Sequence, residues 1–317
     1  MARILRLNEA FTDATLPVLR DDPILNSGSL VLNEPNHPAN PMASGVPASG
    51  TAVPNIAWKE AAALLGSGSQ SSLASTLTYN GISSTANTLG KIERSTKGGL
   101  HGIITQSAWT SGNLNMQVGL PAAVVTYMAA NPTKVFFVSM WGKFTRSPRS
   151  DMSGALALAQ LARYNSGIYG AYYLAVLNTQ LAPNSGNRTG LRTEGIGSSL
   201  AADSDKFLIN IAGVNNDTAN QTYSDPFGRT VASWGSNFLS NGSGYDNKWP
   251  SWVWYRTYIE DLTASAAAAG KTVAAQYAAQ DAIDKALYDK HVGISPAAGV
   301  VSRYYGDTTP TAPSTIA

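Results

Sequence analysis

Hydrophobic and polar positions alternate most clearly between Trp249 and Thr263. The first ten residues of this segment hold three tryptophans and two tyrosines. At a strand's period of two, Trp252, Trp254, Arg256, Tyr258 and Glu260 fall on one face, and Val253, Tyr255, Thr257, Ile259 and Asp261 on the other. Bulky groups on both faces predict a central strand covered on both sides. Residues 134–146 repeat the signature with Phe136, Phe137, Val138, Met140, Trp141 and Phe144. Residues 134–146 and 251–263 are therefore expected as inner strands of a β-sandwich. Residues 168–178, 206–213 and 229–239 read as further strands, separated by loops rich in Asn, Asp and Gly.

Helical periods occur in three places. Asn55 to Gly66 predicts a short helix, with Asn55 as N-cap and Gly66 closing it. Leu120 to Asn131 has helical composition and stops at Asn131-Pro132. Residues 264–293 are rich in Ala, Gln, Asp and Lys and predict helix interrupted at Gly270. On a helical wheel Val273, Tyr277, Ile283, Leu287 and Tyr288 fall within an arc of about 140°. Gln280 and Asp284 intrude on that arc, so the stripe is imperfect.

Residues 1–56 contain Pro17, Pro23, Pro35, Pro38, Pro41, Pro47 and Pro54, which block regular structure. The segment is expected as an extended N-terminal anchoring arm lying outside the sandwich, with Leu5, Leu7, Leu30 and Leu32 needing cover from neighbouring subunits. The organisation that follows is an arm at 1–56, a short helix and Gly/Ser linker at 57–76, a β-sandwich at 77–263, and a C-terminal helix and extended tail at 264–317.

Composition narrows the setting. Charged residues make up 13% of the chain, about half the usual quarter, and small neutral polar residues take their place. Such a surface suits a lectin-like β protein or a subunit covered by its neighbours. A net charge of +2 gives no field to gather nucleic acid or an anionic membrane. The densest basic cluster, Lys143, Arg146 and Arg149, reads as a solvated loop. Without cysteine there is no disulfide, thiolate ligand or Cys nucleophile. The first residues do not form a signal peptide, and no segment approaches a membrane span.

Val135 to Arg146, taken together with Trp254 to Thr263, resembles the strand pattern of tailed-bacteriophage virion structural proteins with a concanavalin A-like (laminin G-like) lectin/glucanase sandwich. Asn26 to Pro35, Ile283 to Tyr288 and Arg303 to Asp307 are also similar to segments of that group. The resemblance implies a mainly β fold, a concanavalin A-like jelly-roll β-sandwich. It further implies a virion subunit of tail, baseplate, fibre or capsid surface, made in the host cytoplasm. The expected partners are other copies of the chain and other virion proteins.

Candidate chemistry is sparse. His37, His101 and His291 lie far apart, and no HExxH, GxSxG or phosphate-binding glycine loop occurs. His101, in Lys97 to Gly102, reads as a surface histidine in a turn. Retaining glycan hydrolases need two carboxylates about 5 to 5.5 Å apart, whereas Glu260 and Asp261 are adjacent and face opposite ways. Residues 215–220 and 241–247 carry oxygen ligands of the kind calcium takes, but turns use the same residues. Tyr245 and Trp249 offer stacking faces for a sugar. No catalytic, cofactor or metal residue is assigned. Asn241, Tyr245, Asp246 and Asn247 are the candidate glycan contacts. The expected function is a non-enzymatic structural subunit acting through oligomeric assembly, the alternatives being a carbohydrate-binding host-receptor module and a glycan depolymerase.

Overall fold

The computed structural model describes residues 20–80, 89–107, 115–150, 157–165, 168–177, 181–182, 187–195, 206–214, 229–235 and 248–316. The strands are β1 (Ser29–Asn33), β2 (Ala52–Val53), β3 (Ser75–Asn80), β4 (Gly90–Arg94), β5 (Leu100–Ile104), β6 (Asn115–Gly119) and β7 (Phe136–Arg146). They continue with β8 (Ala157–Asn165), β9 (Ile168–Leu177), β10 (Leu181–Ala182), β11 (Arg188–Glu194), β12 (Lys206–Gly213), β13 (Arg229–Gly235) and β14 (Ser251–Asp261). The helices are α1 (Trp58–Leu65), α2 (Ala122–Ala130), α3 (Leu262–Ala268) and α4 (Val273–Tyr288), the last running into a π-helical turn at Asp289–Gly293.

The strands form two antiparallel sheets. The first has the order β11-β12-β7-β14-β5-β4, with β1 pairing alongside β14, and the second the order β10-β9-β8-β13-β6-β3-β2. β14 is the axis of the first sheet. It pairs with β7 on one side, and on the other with β5 at Trp252–Trp254 and with β1 at Thr257–Glu260. The two inner strands read from the sequence are thus neighbours; β14 is buried along its whole length, and β7 is buried except at Lys143, Thr145 and Arg146.

The expected concanavalin A-like jelly roll is corrected. The sheets are separate and open, neither curled nor closed, and the chain has substantial helix. The resemblance to the phage lectin-fold group fails with it. A strand apolar on both faces requires two covers but does not say what they are. Here the second sheet is one cover. The other is α3, α4, the π-helical turn and segments from both ends of the described chain.

Between the sheets lies the main core, in which Trp234 of β13 stacks on Trp252 of β14 with ring centroids 4.6 Å apart. Each indole N–H donates to a backbone carbonyl of the opposite sheet, Trp234 to Trp252 O at 2.9 Å and Trp252 to Ser233 O at 3.2 Å. This satisfies buried donors that would otherwise be costly. Gly102 of β5 lies beneath the pair, where an added Cβ would stand 2.6 Å from the Trp234 ring. α2 adds Val124, Val125 and Met128 to this core.

On the outer face of the first sheet, Val273, Tyr277, Ile283 and Leu287 pack over Leu32, Phe137, Ala212, Tyr258 and Leu262. The helical arc read from the sequence is this contact. Gly270 adopts φ +62° between α3 and α4, a backbone state suited to glycine, and Thr272 caps α4 by accepting from Ala275 N–H. Asp261, the last residue of β14, is the N-cap of α3, so strand passes directly into helix. Gly66 ends α1 in the left-handed region as predicted, while Ala57 takes the N-cap position. The predicted cap Asn55 lies two residues earlier, its side chain accepting from Leu32 N–H and Ala57 N–H.

The segment expected as an anchoring arm enters the fold within its described part. β1 lies in the first sheet, β2 pairs with β3 in the second, and Leu30 and Leu32 are buried on opposite faces of β1. Leu5 and Leu7 lie outside the described residues.

Candidate functional site: a buried charge cluster and a C-terminal strap

Strict alternation along β14 fails at one residue, and that failure builds the site. Pairing with β7 passes from Trp254↔Gly142 to Arg256↔Trp141, leaving Tyr255 as an extra residue. Such a bulge reverses the facing of everything beyond it. Trp252 and Trp254 point between the sheets, but past the bulge Thr257 and Ile259 take over that face. Arg256, Tyr258 and Glu260 are moved to the outer face beneath the helices.

Arg256 is fully buried there, with its guanidinium carbon 4.5 Å from the centroid of the Trp141 ring. Its Nη1 donates to Asp22 Oδ2 at 3.0 Å and to Glu34 Oε2 at 3.1 Å, and its Nη2 donates to Asp22 Oδ1 at 3.1 Å. His37 lies on the same carboxylate, its Nε2 3.1 Å from Asp22 Oδ2, while its Nδ1 accepts from Ala39 N–H. Arg303 closes the other side, its Nε 2.6 Å from Glu34 Oε1. Burial alone would raise the Asp22 pKa. The Arg256 charge and hydrogen bonds from His37, Arg256 and Ile24 N–H outweigh it and hold the carboxyl well below its usual range.

Asp22, Glu34 and His37 each offer a ligand atom within 4.8 Å of the others, a donor set that divalent metals accept. The position between the two carboxylates is taken by the Arg256 guanidinium, so this set already has its cation. The cluster draws on the N-terminal segment (Asp22, Glu34, His37), the central strand (Arg256) and the C-terminal segment (Arg303). It works as a three-way ionic clasp.

Two acids near the clasp have no such partner at contact distance. Glu260 accepts from Ser265 Oγ, from Gln280 Nε2 and from Tyr258 OH. Asp284 accepts from Ser139 Oγ at 2.6 Å and Trp141 Nε1 at 3.1 Å. Burial pushes both carboxyls up. Gln280 and Asp284, the polar intruders on the apolar stripe of α4, are therefore the helix's contribution to a buried polar layer.

A second constellation sits near the start of β14. Glu93 of β4 and His101 of β5 are direct cross-strand partners, with Glu93 Oε1 2.9 Å from His101 Nδ1. His101 Nε2 is 2.8 Å from Thr145 Oγ1. Burial would raise Glu93, but hydrogen bonds from His101, Thr311 and Lys91 bring its pKa to about 2. Burial lowers that of His101, so a neutral imidazole lies between an ionised acid and a hydroxyl. That is the connectivity of an activated nucleophile. Here its acid and imidazole are covered: Thr311 donates to both Glu93 oxygens, Lys91 lies 3.0 Å from Oε2, and His101 is fully buried, while Thr145 is half-buried. The reading of His101 as a surface histidine in a turn is corrected, because the turn ends at Gly99 and His101 belongs to β5.

The covering segment, residues 303–316, is a strap held largely through its backbone. Thr96 N–H donates to Thr308 O, Lys97 Nζ to Tyr305 O, Lys143 Nζ to Asp307 O, and Arg146 Nη1 to Pro313 O and Ile316 O. Tyr304 is its ring anchor, stacked on Tyr255 at 4.4 Å. The basic cluster read as a solvated loop is corrected in the same way. Lys143 and Arg146 lie on β7 and grip the strap, and Arg149 donates to Gln106 O.

The candidate glycan contacts Asn241, Tyr245, Asp246 and Asn247 lie outside the described residues, as does the Asn-rich stretch 215–220. Trp249, proposed with Tyr245 as a stacking face, is fully buried in the inter-sheet core. His37 sits on Asp22 within the clasp, and His291 lies beside its Arg303 end, where His291 O accepts from Tyr304 N–H. Burial first, then Arg303 and Lys290, lower the His291 pKa to about 3. Among the described residues no helix is long and apolar enough to cross a membrane. Comparison with family models, curated proteins and solved structures gives no match.

Proposed function

We propose that this chain is a non-enzymatic structural subunit that acts by assembling with other copies of itself and with other subunits. The observation that carries the reading is the clasp. The most elaborate polar constellation among the described residues is closed, compensated by Arg256 and Arg303, and joins both terminal segments to the central strand. Charges used in this way rigidify a shape and leave no open centre for a substrate. The strap likewise covers the Glu93 end of the Glu93–His101–Thr145 relay through Thr311, while Thr145 itself is half-buried. A surface poor in charge and the exposed apolar side chains of Ile294, Val300 and Val301 suit contact with neighbouring subunits.

Sedimentation velocity over a hundredfold concentration range tests the proposal, with assembly as the expected result and a monomer throughout as the contrary one. Host glycans bound in an array and lost on Tyr245→Ala would favour the receptor alternative instead. Release of reducing ends or ester hydrolysis, abolished by His101→Gln in a folded variant, would replace the structural reading with an enzymatic one.

A further inference from the structure

The strap is connected through a loop that returns to its own starting point. The chain leaves the π-helical turn at Gly293, where Ile294 N–H still donates to Asp289 O, makes one local turn with Val300 N–H on Ala297 O, and then comes back to His291. Ser302 Oγ and Tyr304 N–H both donate to His291 O, at 2.9 and 2.8 Å. The intervening residues make no advance across the molecule. They carry Ile294, Val300 and Val301 at 57%, 42% and 80% exposure, and Gly299 sits at φ +82°. Fully extended, residues 294–302 would span about 30 Å.

We infer that residues 303–316 exchange between copies of this chain, so that each strap lies on the first sheet of a neighbour. The inference rests on the assembly reading and names its partner as a second copy. Three observations carry it together. The connection holds slack with no role in the closed monomer. The strap's contacts divide between backbone carbonyls gripped by Thr96, Lys97, Lys143 and Arg146 and the side chains of Arg303, Tyr304, Asp307, Thr308 and Thr311, and each is the same from a neighbour's strap as from its own. The hinge exposes apolar side chains that two opened hinges, lying side by side, would cover. Exchange of an identical element keeps every contact of the closed form and adds only the hinge interface. Arg303 travels with the strap, so the Glu34 side of the clasp becomes a link between copies.

The chain has no cysteine, which allows a direct test. The Thr96 and Thr308 hydroxyls are both exposed and 3.1 Å apart, within reach of a disulfide after a small adjustment. Thr96→Cys and Thr308→Cys single variants with tags of different length are co-expressed, and the assembled fraction is oxidised. Denaturing, non-reducing electrophoresis should show the mixed Thr96→Cys/Thr308→Cys species at about twice 33.3 kDa, resolved by its two tags from either like-with-like product and in greater amount. The double variant in one chain is the control for disulfide competence. Assembled protein whose double variant closes only within its own chain, with no mixed species from the single variants, overturns exchange and leaves assembly standing. Wild-type protein that never assembles overturns both.

Discussion

Replacing Arg256 with methionine removes the one cation shared by Asp22 and Glu34 while keeping much of the side-chain volume over Trp141. Two carboxylates with no exposed surface beyond 2% are then left with His37, Arg303 and the Ile24 N–H. Unit charges about 4 Å apart attract by about 4 kcal/mol at an effective dielectric of about 20. Two such pairs gross about 8 kcal/mol, and desolvation of three buried groups offsets most of it. Removal of one partner from a buried pair costs about 3–5 kcal/mol, a large share of the roughly 5–15 kcal/mol of a typical domain. The loss should depend on pH. Asp22 has a depressed folded pKa, so its stabilisation is present above its ordinary value of 3.8 and is lost as pH falls towards the folded value. In Arg256→Met the largest lowering influence on that carboxyl is gone, so it titrates higher than in wild type and the gap from wild type narrows on acidification. Guanidinium denaturation at pH 7 and pH 3.5 measures both effects. A loss below about 1 kcal/mol at pH 7, or one equal at both pH values, would refute the reasoning. The triple variant Asp22→Asn, Glu34→Gln, Arg256→Met should recover part of the loss at pH 7, because it leaves no buried charge at the centre of the clasp.

Glu260 has a raised folded pKa, so its contribution is present at low pH and lost as pH rises through that value. Glu260→Gln should therefore gain on wild type as pH rises and flatten the pH dependence seen in denaturant midpoints. Gly102→Val places its side chain against Met116 and the Trp234 ring and should cost about 1–3 kcal/mol by overpacking. Near-ultraviolet circular dichroism of the Trp234–Trp252 pair would report the local change, and an unaltered spectrum with full stability would contradict the packing described.

Much of the fold was legible because its strongest signals are local. The two-faced strands at 134–146 and 251–263, the arc of Val273, Tyr277, Ile283 and Leu287, and the breaks at Gly66 and Gly270 all depend on near neighbours in sequence. The architecture was not legible, because a strand's need for two covers is the same whether they are sheets or helices. The site was hidden by the single extra residue Tyr255, which moves Arg256 onto the outer face and brings it to Asp22, 234 positions away. Prolines between residues 17 and 54 suggested an arm, yet a segment can lack regular structure and still be fixed by Asp22, Glu34 and His37. The one available hint was polar: Gln280 and Asp284 on an apolar stripe, and Arg256 among aromatics, are residues that burial tolerates only with partners.

Hydrogen exchange of the isolated chain, read by mass spectrometry on peptides covering residues 20–37 and β14, tests most directly whether the clasp makes the terminal segments part of one rigid unit. The account predicts that the hydrogen-bonded amides of Ile24, Leu25, Ser29, Leu32 and His37 are protected on the same timescale as β14, and that Arg256→Met releases residues 20–37 first. Exchange of residues 20–37 within seconds in the wild type, with β14 fully protected, would show a loosely attached arm and contradict it.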